Sequence, residues 1–511
     1  MNLSKSGAAI CMALFLAACG PGPDLRDVPK PVTTAPTDTS ATFLGRKVEA
    51  FAPPQDGRSG IRLVTSGPEA LAFRQILSER AERSIDAQYY IMHNDVTGHI
   101  FAGELLKAAD RGVRVRLLLD DMYTAEYDDM MVALSRHPNI SIRLFNPFRR
   151  DLWRPIDSLF EFGRINRRMH NKSMTFDNQV TLVGGRNIAD EYFSADEDSN
   201  YDDLDLLATG PVVGEVSGIF DTYWNSPYAI PAETVIGQRK DTPSYAEARA
   251  RLLALYDAAG DTAYGTAVGR DVRRQISDGN LNLSWVPARA IADNPDKAAG
   301  ASREILAAEI LPLLTSARRE VVIESAYFMP GPRGTELLAS LARRGVHVVI
   351  LTNSLDSNDV QMVHAHYARY RKTLLEAGVE LWELRPDKER ADRSMLQLGQ
   401  SLSGLHSKAF SVDGRYLFIG SFNWDPRSVN INTEMGILVD SPKDARGAVR
   451  RLASNLPDTA YRLRLDAEGR IEWLEHQPGG GWIAYRQEPA SSGWRRFVTG
   501  LYAWLPVAGQ L

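Results

Sequence analysis

The sequence HNKSMTFDNQVTLVGGRN, from His170 to Asn187, decides the fold because it occurs a second time as HSKAFSVDGRYLFIGSFN, from His406 to Asn423. The two copies share a histidine, lysine, aspartate, glycine and asparagine at the same spacing, and corresponding residues are 236 positions apart. At average residue usage, H-x-K-x4-D alone occurs by chance in about one chain in thirty of this length. An ungapped second copy with the same Gly…Asn turn therefore indicates an internal duplication.

The pattern around both copies alternates between apolar strands and amphipathic helices, which is typical of a sheet covered by helices. We therefore predict an α/β chain of two similar modules, each a mixed sheet flanked by helices and related by pseudo-two-fold symmetry. The predicted strands are Ser84–Met92, Val113–Leu119 and Ile140–Phe145, and in the second half Val321–Met329, Val346–Thr352 and Val379–Leu384. The helices Ile100–Ala109 and Leu337–Arg344 occupy matching places.

Changes in composition divide the 511-residue chain into six segments. We predict a signal sequence (1–19), a disordered tether rich in Pro and Thr (20–60), a first module (61–228), a connecting insertion (229–301), a second module (302–450), and a C-terminal hairpin with an aromatic segment (451–511). In that last segment aromatic side chains lie beside two arginines. They predict either a membrane-interface surface or, the alternative we favour, packing on the body of the protein.

The residues Leu16, Ala17, Ala18 and Cys19 resemble the lipobox of bacterial lipoproteins. That resemblance implies a lipid group on Cys19 and a location in the cell envelope facing the periplasm. An ordinary secretory signal is the alternative, although Leu16 does not fit its small-residue cleavage pattern. Gly20, where an aspartate often accompanies retention in the inner membrane, favours the outer membrane.

Composition is ordinary for a soluble globular protein, with 44% hydrophobic and 24% charged residues. A formal net charge of −5 gives no overall basic footprint, so we predict no nucleic-acid partner. Cys11 lies in the signal sequence and Cys19 would carry the lipid, so the mature chain would have no free thiol, which excludes cysteine catalysis and cysteine zinc sites.

The spacing within the motif carries the chemistry. Residues two apart on a strand project from one face, so His170 projects with Lys172, and His406 with Lys408. If the modules face each other, one imidazole can act as a nucleophile and the other as a general acid. The two lysines, with the amides of Asn187 and Asn423, would bind a phosphate. For a phosphodiester this chemistry requires neither a metal nor a cofactor.

The paired motifs resemble those of the phospholipase D superfamily, over essentially all of residues 61–450. The stretches DAQYYIMHNDVTG, ADRGVRVRLLLDD, GGRNIADEYF and GSFNWDPRS are similar to bacterial cardiolipin synthases, in particular their C-type branch. The resemblance implies two phospholipase D-like modules and phosphatidyl transfer through a phosphohistidine. His170 would be the nucleophile and His406 the acid and base, although the near-symmetry allows the reverse assignment.

The substrates implied are phosphatidylglycerol and a second phospholipid, with phosphatidylethanolamine as a further candidate partner. Hydrolysis by a phospholipase D uses the same site, and a nuclease or a catalytically inactive lipid-binding lipoprotein are weaker alternatives. The sequence does not indicate whether an accessory protein takes part. Arg186 and Arg427 are additional candidates for contacting the head group or phosphate.

Acidic residues complete the candidate site. Glu434 and Asp203 precede the last strand of their modules, and we predict that they orient the histidines, with Asp202 or Asp205 as alternatives in the first module. Asp177 and Asp413 complete the motifs, and we expect structural or hydrogen-bonding roles for both.

Overall fold

The computed structural model describes residues 28–51, 53–148, 162–196, 200–237, 242–260, 270–278, 281–301, 305–386, 403–505 and 509. The predicted signal sequence and its Cys19 lie outside the described residues, as do residues 20–27 of the predicted tether.

Strands and helices alternate along the described chain. The strands are β1 (Ser59–Val64), β2 (Ser84–Tyr89), β3 (Arg114–Asp120), β4 (Ile140–Phe145), β5 (Ser173–Phe176), β6 (Val180–Gly184), β7 (Asn200–Asp202), β8 (Asp205–Thr209), β9 (Ala229–Pro231), β10 (Ser284–Val286), β11 (Ala288–Ala292), β12 (Glu320–Ser325), β13 (His347–Asn353), β14 (Glu380–Leu384), β15 (Ser403–Leu405), β16 (Lys408–Val412), β17 (Tyr416–Gly420), β18 (Met435–Asp440), β19 (Ala460–Leu465), β20 (Ile471–His476) and β21 (Trp482–Tyr485). The α-helices are α1 (Phe43–Ala50), α2 (Gly67–Arg80), α3 (Val96–Asp110), α4 (Asp128–Leu134), α5 (Phe162–Ile165), α6 (Asp190–Phe193), α7 (Pro211–Trp224), α8 (Ala232–Ile236), α9 (Tyr245–Gly260), α10 (Arg270–Asp278), α11 (Ile305–Thr315), α12 (Gly331–Arg343), α13 (Gln361–Tyr367), α14 (Arg371–Glu376), α15 (Pro426–Asn430), α16 (Pro442–Thr459) and α17 (Gly493–Tyr502).

Two mixed sheets organise these elements, as the duplication predicts. The first has the order β10-β1-β8-β6-β5-β2-β3-β4-β9, and the second has the order β11-β18-β17-β16-β12-β13-β14-β19-β20-β21. The strands β2, β3 and β4 are parallel to one another, and so are β12, β13 and β14. The strands that carry the motif, β5 with β6 and β16 with β17, have the same neighbours in both sheets, which confirms the predicted fold class.

The central strands explain why the sequence pattern was readable. Every residue of β2 is buried, and Ile85, Ala87 and Tyr89 alternate with polar residues at the period of two that is typical of a strand. The following helix α3 begins at Val96, earlier than the predicted Ile100. It does so because the side chain of Asp95 accepts a hydrogen bond from the backbone N–H of Gly98 at 2.8 Å and caps the first turn.

A shared hydrophobic core joins the modules. Val183, Leu206 and Val216 of the first module pack in one cluster with Ile419 and Ile437 of the second. A small parallel sheet of β7 and β15 adds backbone pairing between the modules. The motif strands of both modules are therefore fixed against each other by apolar burial, the main favourable term in folding.

The tether prediction is wrong for residues 28–51. This stretch contains α1 and lies on the first module, where the buried guanidinium groups of Arg116 and Arg143 donate to the carbonyl oxygens of Thr33 and Pro31 at 2.8 and 2.7 Å. The indole of Trp224 donates to the Thr33 hydroxyl at 2.9 Å. Buried charged donors need acceptors, and here the N-terminal stretch supplies them.

The insertion prediction also needs correction, because residues 229–301 belong to both sheets. Strand β10 pairs with β1 at the edge of the first sheet, and β11 pairs with β18 at the edge of the second. This segment therefore contributes an edge strand to each sheet and is not a separate insertion between the modules.

At the C-terminus the predicted hairpin is present as β19 and β20, which extend the second sheet. The favoured packing of the aromatic segment is wrong for Trp482, Trp494, Phe497 and Trp504, because all four side chains are exposed. No helix within the described ranges combines the length and the hydropathy that crossing a bilayer requires.

Candidate active site

The two motif histidines lie just before β5 and β16, where each is held by the backbone of the other module. The backbone N–H of His170 donates to the carbonyl oxygen of Thr433 at 2.9 Å, and that of His406 donates to the carbonyl oxygen of Asp202 at 2.8 Å. Both rings are buried. The reciprocal contacts are those of a two-fold relation between the modules.

The predicted orienting carboxylates are in place, and each reaches across to the histidine of the opposite module. His170 Nδ1 lies 2.9 Å from Glu434 Oε2, and His406 Nδ1 lies 2.6 Å from Asp203 Oδ2. A carboxylate at Nδ1 selects the tautomer with its proton on that atom, which leaves the Nε2 lone pair available for chemistry. Neither module therefore contains a complete histidine site of its own.

The structure selects Asp203 among the three candidates of the first module. Asp205 is committed to a buried ion pair with Arg74 at 3.0 Å, and Asp202 contributes its backbone carbonyl rather than its side chain to His406. Gly185 makes room for Asp203, since a Cβ built on this glycine would lie 2.2 Å from Asp203 Oδ1.

Both lysines are buried behind their histidines. Lys172 Nζ donates to the carbonyl oxygen of His170 at 2.7 Å, and Lys408 Nζ makes the equivalent bond to His406. Burial is the main reason that both lysine pKa values are lowered, that of Lys172 well below its ordinary range and that of Lys408 to about 8. Repulsion by Lys408 lowers the pKa of Lys172 further. A bound phosphate would supply the negative charge that favours the protonated form of both.

The two asparagines turn their amides in the same way. The Oδ1 of Asn187 accepts from the backbone N–H of Ile91 at 3.2 Å, and the Oδ1 of Asn423 accepts from that of Tyr327 at 3.4 Å. Because the oxygen of each amide is held by the backbone, its NH2 group is the part left to donate to an anion. This orientation suits the predicted phosphate contacts.

Both histidines are held neutral. Burial, followed by the charges of the lysines, lowers the pKa of His170 well below its ordinary value and that of His406 to about 3. A neutral imidazole is the form that can attack phosphorus.

The two carboxylates differ in charge. Burial raises the pKa of Glu434 to about 7. Burial would also raise the pKa of Asp203, but His406 and Lys408 outweigh it and hold that pKa below its ordinary value. The ionised Asp203 favours a proton on His406, whereas Glu434 favours one on His170 less strongly.

The aspartates of the two motifs have structural surroundings, as expected from the sequence. Each carboxylate accepts three backbone N–H groups at the start of a neighbouring strand, those of Glu82, Arg83 and Ser84 for Asp177, and those of Arg318, Arg319 and Glu320 for Asp413. Both have positive φ, 50° and 54°, in the turn that follows the motif strand. They fix the strand on which the histidine and lysine lie.

Arg186 and Arg427, the two additional candidates for contacting a ligand, have different surroundings. The guanidinium of Arg186 is buried among the carbonyl oxygens of Val64, Thr65, Tyr192 and Asp203, so it supports the site and does not face a ligand. Arg427 donates to Asn166 at 2.8 Å, and its charge contributes to lowering the pKa of His170.

Sequence reasoning missed the tyrosines that surround the histidines. The rings of Tyr90 and His170 are 5.1 Å apart, and those of Tyr192 and His406 are 4.9 Å apart. Both tyrosines lie inside stretches that carry the family resemblance, DAQYY and DEYF, which was the available signal. A tyrosine beside a buried strand is, however, equally typical of an ordinary core.

Within the described ranges, a different group has spacing that could suit a cation. Ligand atoms of His93, Asp95 and Glu191 lie within 4.8 Å of one another. The carboxylate of Asp95 already accepts from the backbone N–H groups of Gly98 and Asp190 at 2.8 and 2.9 Å, which accounts for its position without a metal.

The family model described as "Cardiolipin synthase, PLD-like domain" matches this chain twice, at residues 75–224 and 310–455, so that each match contains one motif. The chain belongs to this family. The two matched regions of this PLD-like protein coincide with the two sheets that contribute the paired histidines.

Relatives of this PLD-like protein include cardiolipin synthase C of Escherichia coli, 42% identical over 460 residues, which cover 88% of this chain and 96% of the relative. An uncharacterised protein of Helicobacter pylori is 33% identical over 438 residues, covering 84% of this chain and 86% of its own. Phosphatidylserine synthase of Haemophilus influenzae has a similar fold, with a TM-score of 0.56 at 16% identity, covering 82% of this chain and 92% of that one.

The pKa of Lys408 predicts a basic limb in the pH profile. A lysine with a lowered pKa is charged below that pKa and neutral above it, so the free enzyme loses one phosphate-binding charge above about pH 8. With a phospholipid substrate whose head group does not titrate there, we expect kcat/KM to fall above that pH while kcat changes less. In Lys408→Arg the limb should disappear, because arginine stays charged. A limb unchanged in this variant would contradict the assignment.

Proposed function

We propose that the protein is a phosphatidyltransferase that joins two phospholipids into cardiolipin. The observation that carries the proposal is the pair of buried neutral imidazoles, each with Nδ1 on a carboxylate of the opposite module. Membership of the PLD-like family and the 42% identity to a cardiolipin synthase support it. Phospholipids are accordingly the partners of the site.

In the first step, His170 Nε2 attacks the phosphorus of phosphatidylglycerol and the bond to the glycerol head group breaks. The bound phosphate offsets the lysine charges, which raises the pKa of His406 and lets it hold a proton beside the ionised Asp203. His406 then donates this proton to the departing glycerol oxygen. Lys172 and Lys408 neutralise the non-bridging oxygens, so this route uses no metal.

In the second step, the free hydroxyl of a second phosphatidylglycerol attacks the phosphorus of phosphatidyl-His170. His406, now neutral, accepts the proton of that hydroxyl, and the bond between phosphorus and Nε2 breaks. The products of the two steps are cardiolipin and glycerol. With phosphatidylethanolamine as the donor, the same sequence would release ethanolamine instead. Water in place of the acceptor would give phosphatidic acid.

Incubating the purified protein with phosphatidylglycerol, with and without phosphatidylethanolamine, tests the proposal through the lipid products. We expect cardiolipin from wild type and none from His170→Ala or His406→Ala, because each variant lacks one of the two imidazoles. Phosphatidic acid without cardiolipin would identify a hydrolase instead. Cardiolipin formation that survives in both variants would contradict the mechanism.

We further propose that the protein is anchored by a lipid on Cys19 and faces the periplasm, in the outer rather than the inner membrane. This proposal rests on the lipobox-like residues Leu16 to Cys19 and on the glycine that follows them. Feeding cells a clickable fatty acid should label the wild-type protein but not Cys19→Ser, and membrane fractionation should place the label in the outer membrane. Equal labelling of both proteins would exclude the anchor.

A further inference from the structure

The apolar stripe of helix α17 points away from the protein. Trp494, Phe497 and Leu501 follow one another at spacings of three and four residues, so they share one face of the helix, and they are 67%, 57% and 54% exposed. Trp504, just beyond the helix, is 87% exposed. A surface helix of a globular protein normally turns such a stripe towards the core.

The opposite face of α17 is attached to the body, so the orientation of the stripe is fixed. Arg495 Nη2 donates to the carbonyl oxygens of Leu355 and Asn358 at 2.9 and 3.2 Å, and Arg495 Nε lies 3.1 Å from the carboxylate of Asp356. Thr499, one turn later, is buried. The helix is also capped at its start, where the Ser492 hydroxyl accepts from the backbone N–H of Arg495.

The loop held by Arg495 borders the active site. Asp359, the next residue after Asn358, accepts hydrogen bonds from the hydroxyl of Tyr327 at 3.0 and 2.8 Å and lies 3.5 Å from that of Tyr201. The ring of Tyr201 is 5.4 Å from that of His406. A direct chain of contacts therefore leads from α17 to the catalytic histidine of the second module.

Charge indicates what covers the stripe. From Trp482 to Leu511 the sequence has three arginines and one glutamate, whereas the whole chain has a net charge of −5. Arg495 is paired with Asp356, so Arg486, whose side chain is 73% exposed, and Arg496 are the arginines available to a membrane. The glutamate, Glu488, is engaged by Arg371 and by His364, the latter at 3.0 Å. Exposed tryptophan and phenylalanine beside arginine suit the interface of an anionic bilayer, where the rings enter the head-group region and the cations meet phosphates.

We propose that α17 and Trp504 form a bilayer-docking surface, defined by Trp494, Phe497, Leu501 and Trp504, that inserts into the interface of an anionic phospholipid membrane and holds the mouth of the active site against it. The inference rests on the proposed function, because an enzyme whose substrates are phospholipids must bring its active site to a bilayer. Docking itself is a separate property, because it depends on side chains that are not part of the reaction.

Vesicle binding tests the docking surface directly. All proteins carry Cys19→Ser, so that a lipid anchor does not contribute. The background protein should cosediment with vesicles of phosphatidylglycerol and phosphatidylcholine more than with phosphatidylcholine alone. The triple variant Trp494→Ala/Phe497→Ala/Leu501→Ala should bind at least about tenfold more weakly, because it loses most of the inserted apolar area. Leu311→Ala removes an exposed apolar side chain of α11 and should bind like the background protein.

Activity on two forms of the substrate separates docking from folding and from catalysis. On phosphatidylglycerol in vesicles, kcat/KM of the triple variant should fall at least about tenfold. On monomeric short-chain phosphatidylglycerol it should stay within about twofold, which also shows that the variant is folded.

Equal vesicle binding by the triple variant and the background protein would overturn the docking surface, as would loss of activity on monomeric substrate with binding intact. In that case the stripe would instead be a contact for another protein or a support for the site. If no form of phosphatidylglycerol were turned over, the proposed function would fail, while the binding comparison would still decide whether the surface docks on membranes.

Discussion

Each motif histidine is hydrogen-bonded through Nδ1 to a carboxylate of the opposite module, and the rest of the structure depends on this reciprocal pairing. His170 to Glu434 and His406 to Asp203 are contacts between residues 264 and 203 positions apart. Such contacts survive only if the two sheets are held rigidly face to face. The apolar cluster between the modules, the β7–β15 pairing and the backbone bonds at both histidines supply that rigidity.

The near-symmetric scaffold contains an asymmetric site, in which the two carboxylates have different neighbours. Where the first copy has Gly185, the second has Ser421, whose hydroxyl bonds to Glu434. Ser428 also donates to Glu434, at 2.9 Å, whereas Asp203 faces His406, Lys408 and Arg186. Burial therefore dominates at Glu434, and neighbouring charge dominates at Asp203. This difference between the carboxylates supports our proposal that His170 is the nucleophile and His406 the acid.

The sequence predicted the modules because their central strands, such as Ile140–Phe145, are buried except at Ser141 and have a clear apolar pattern. It also identified the histidines, lysines and carboxylates, because a repeated motif is difficult to explain by chance. It could not show which carboxylate bonds to which histidine, since pairing within a module and pairing across modules fit the same residues. Composition predicted disorder for residues 28–51, and this was wrong because the carbonyl oxygens of this stretch accept hydrogen bonds from Arg116 and Arg143. Those contacts are distant in sequence, so composition could not reveal them.

Trapping the covalent intermediate tests cross-module pairing most directly. A phosphatidyl donor with a p-nitrophenol leaving group needs no general acid, so His406→Ala should release one equivalent in a burst and retain the phosphatidyl group on His170. Adding Glu434→Gln should slow that burst by about two orders of magnitude or more, whereas adding Asp203→Asn should leave it nearly unchanged. The opposite dependence on the two carboxylates, or a phosphatidyl group found on His406 in His170→Ala, would contradict the account.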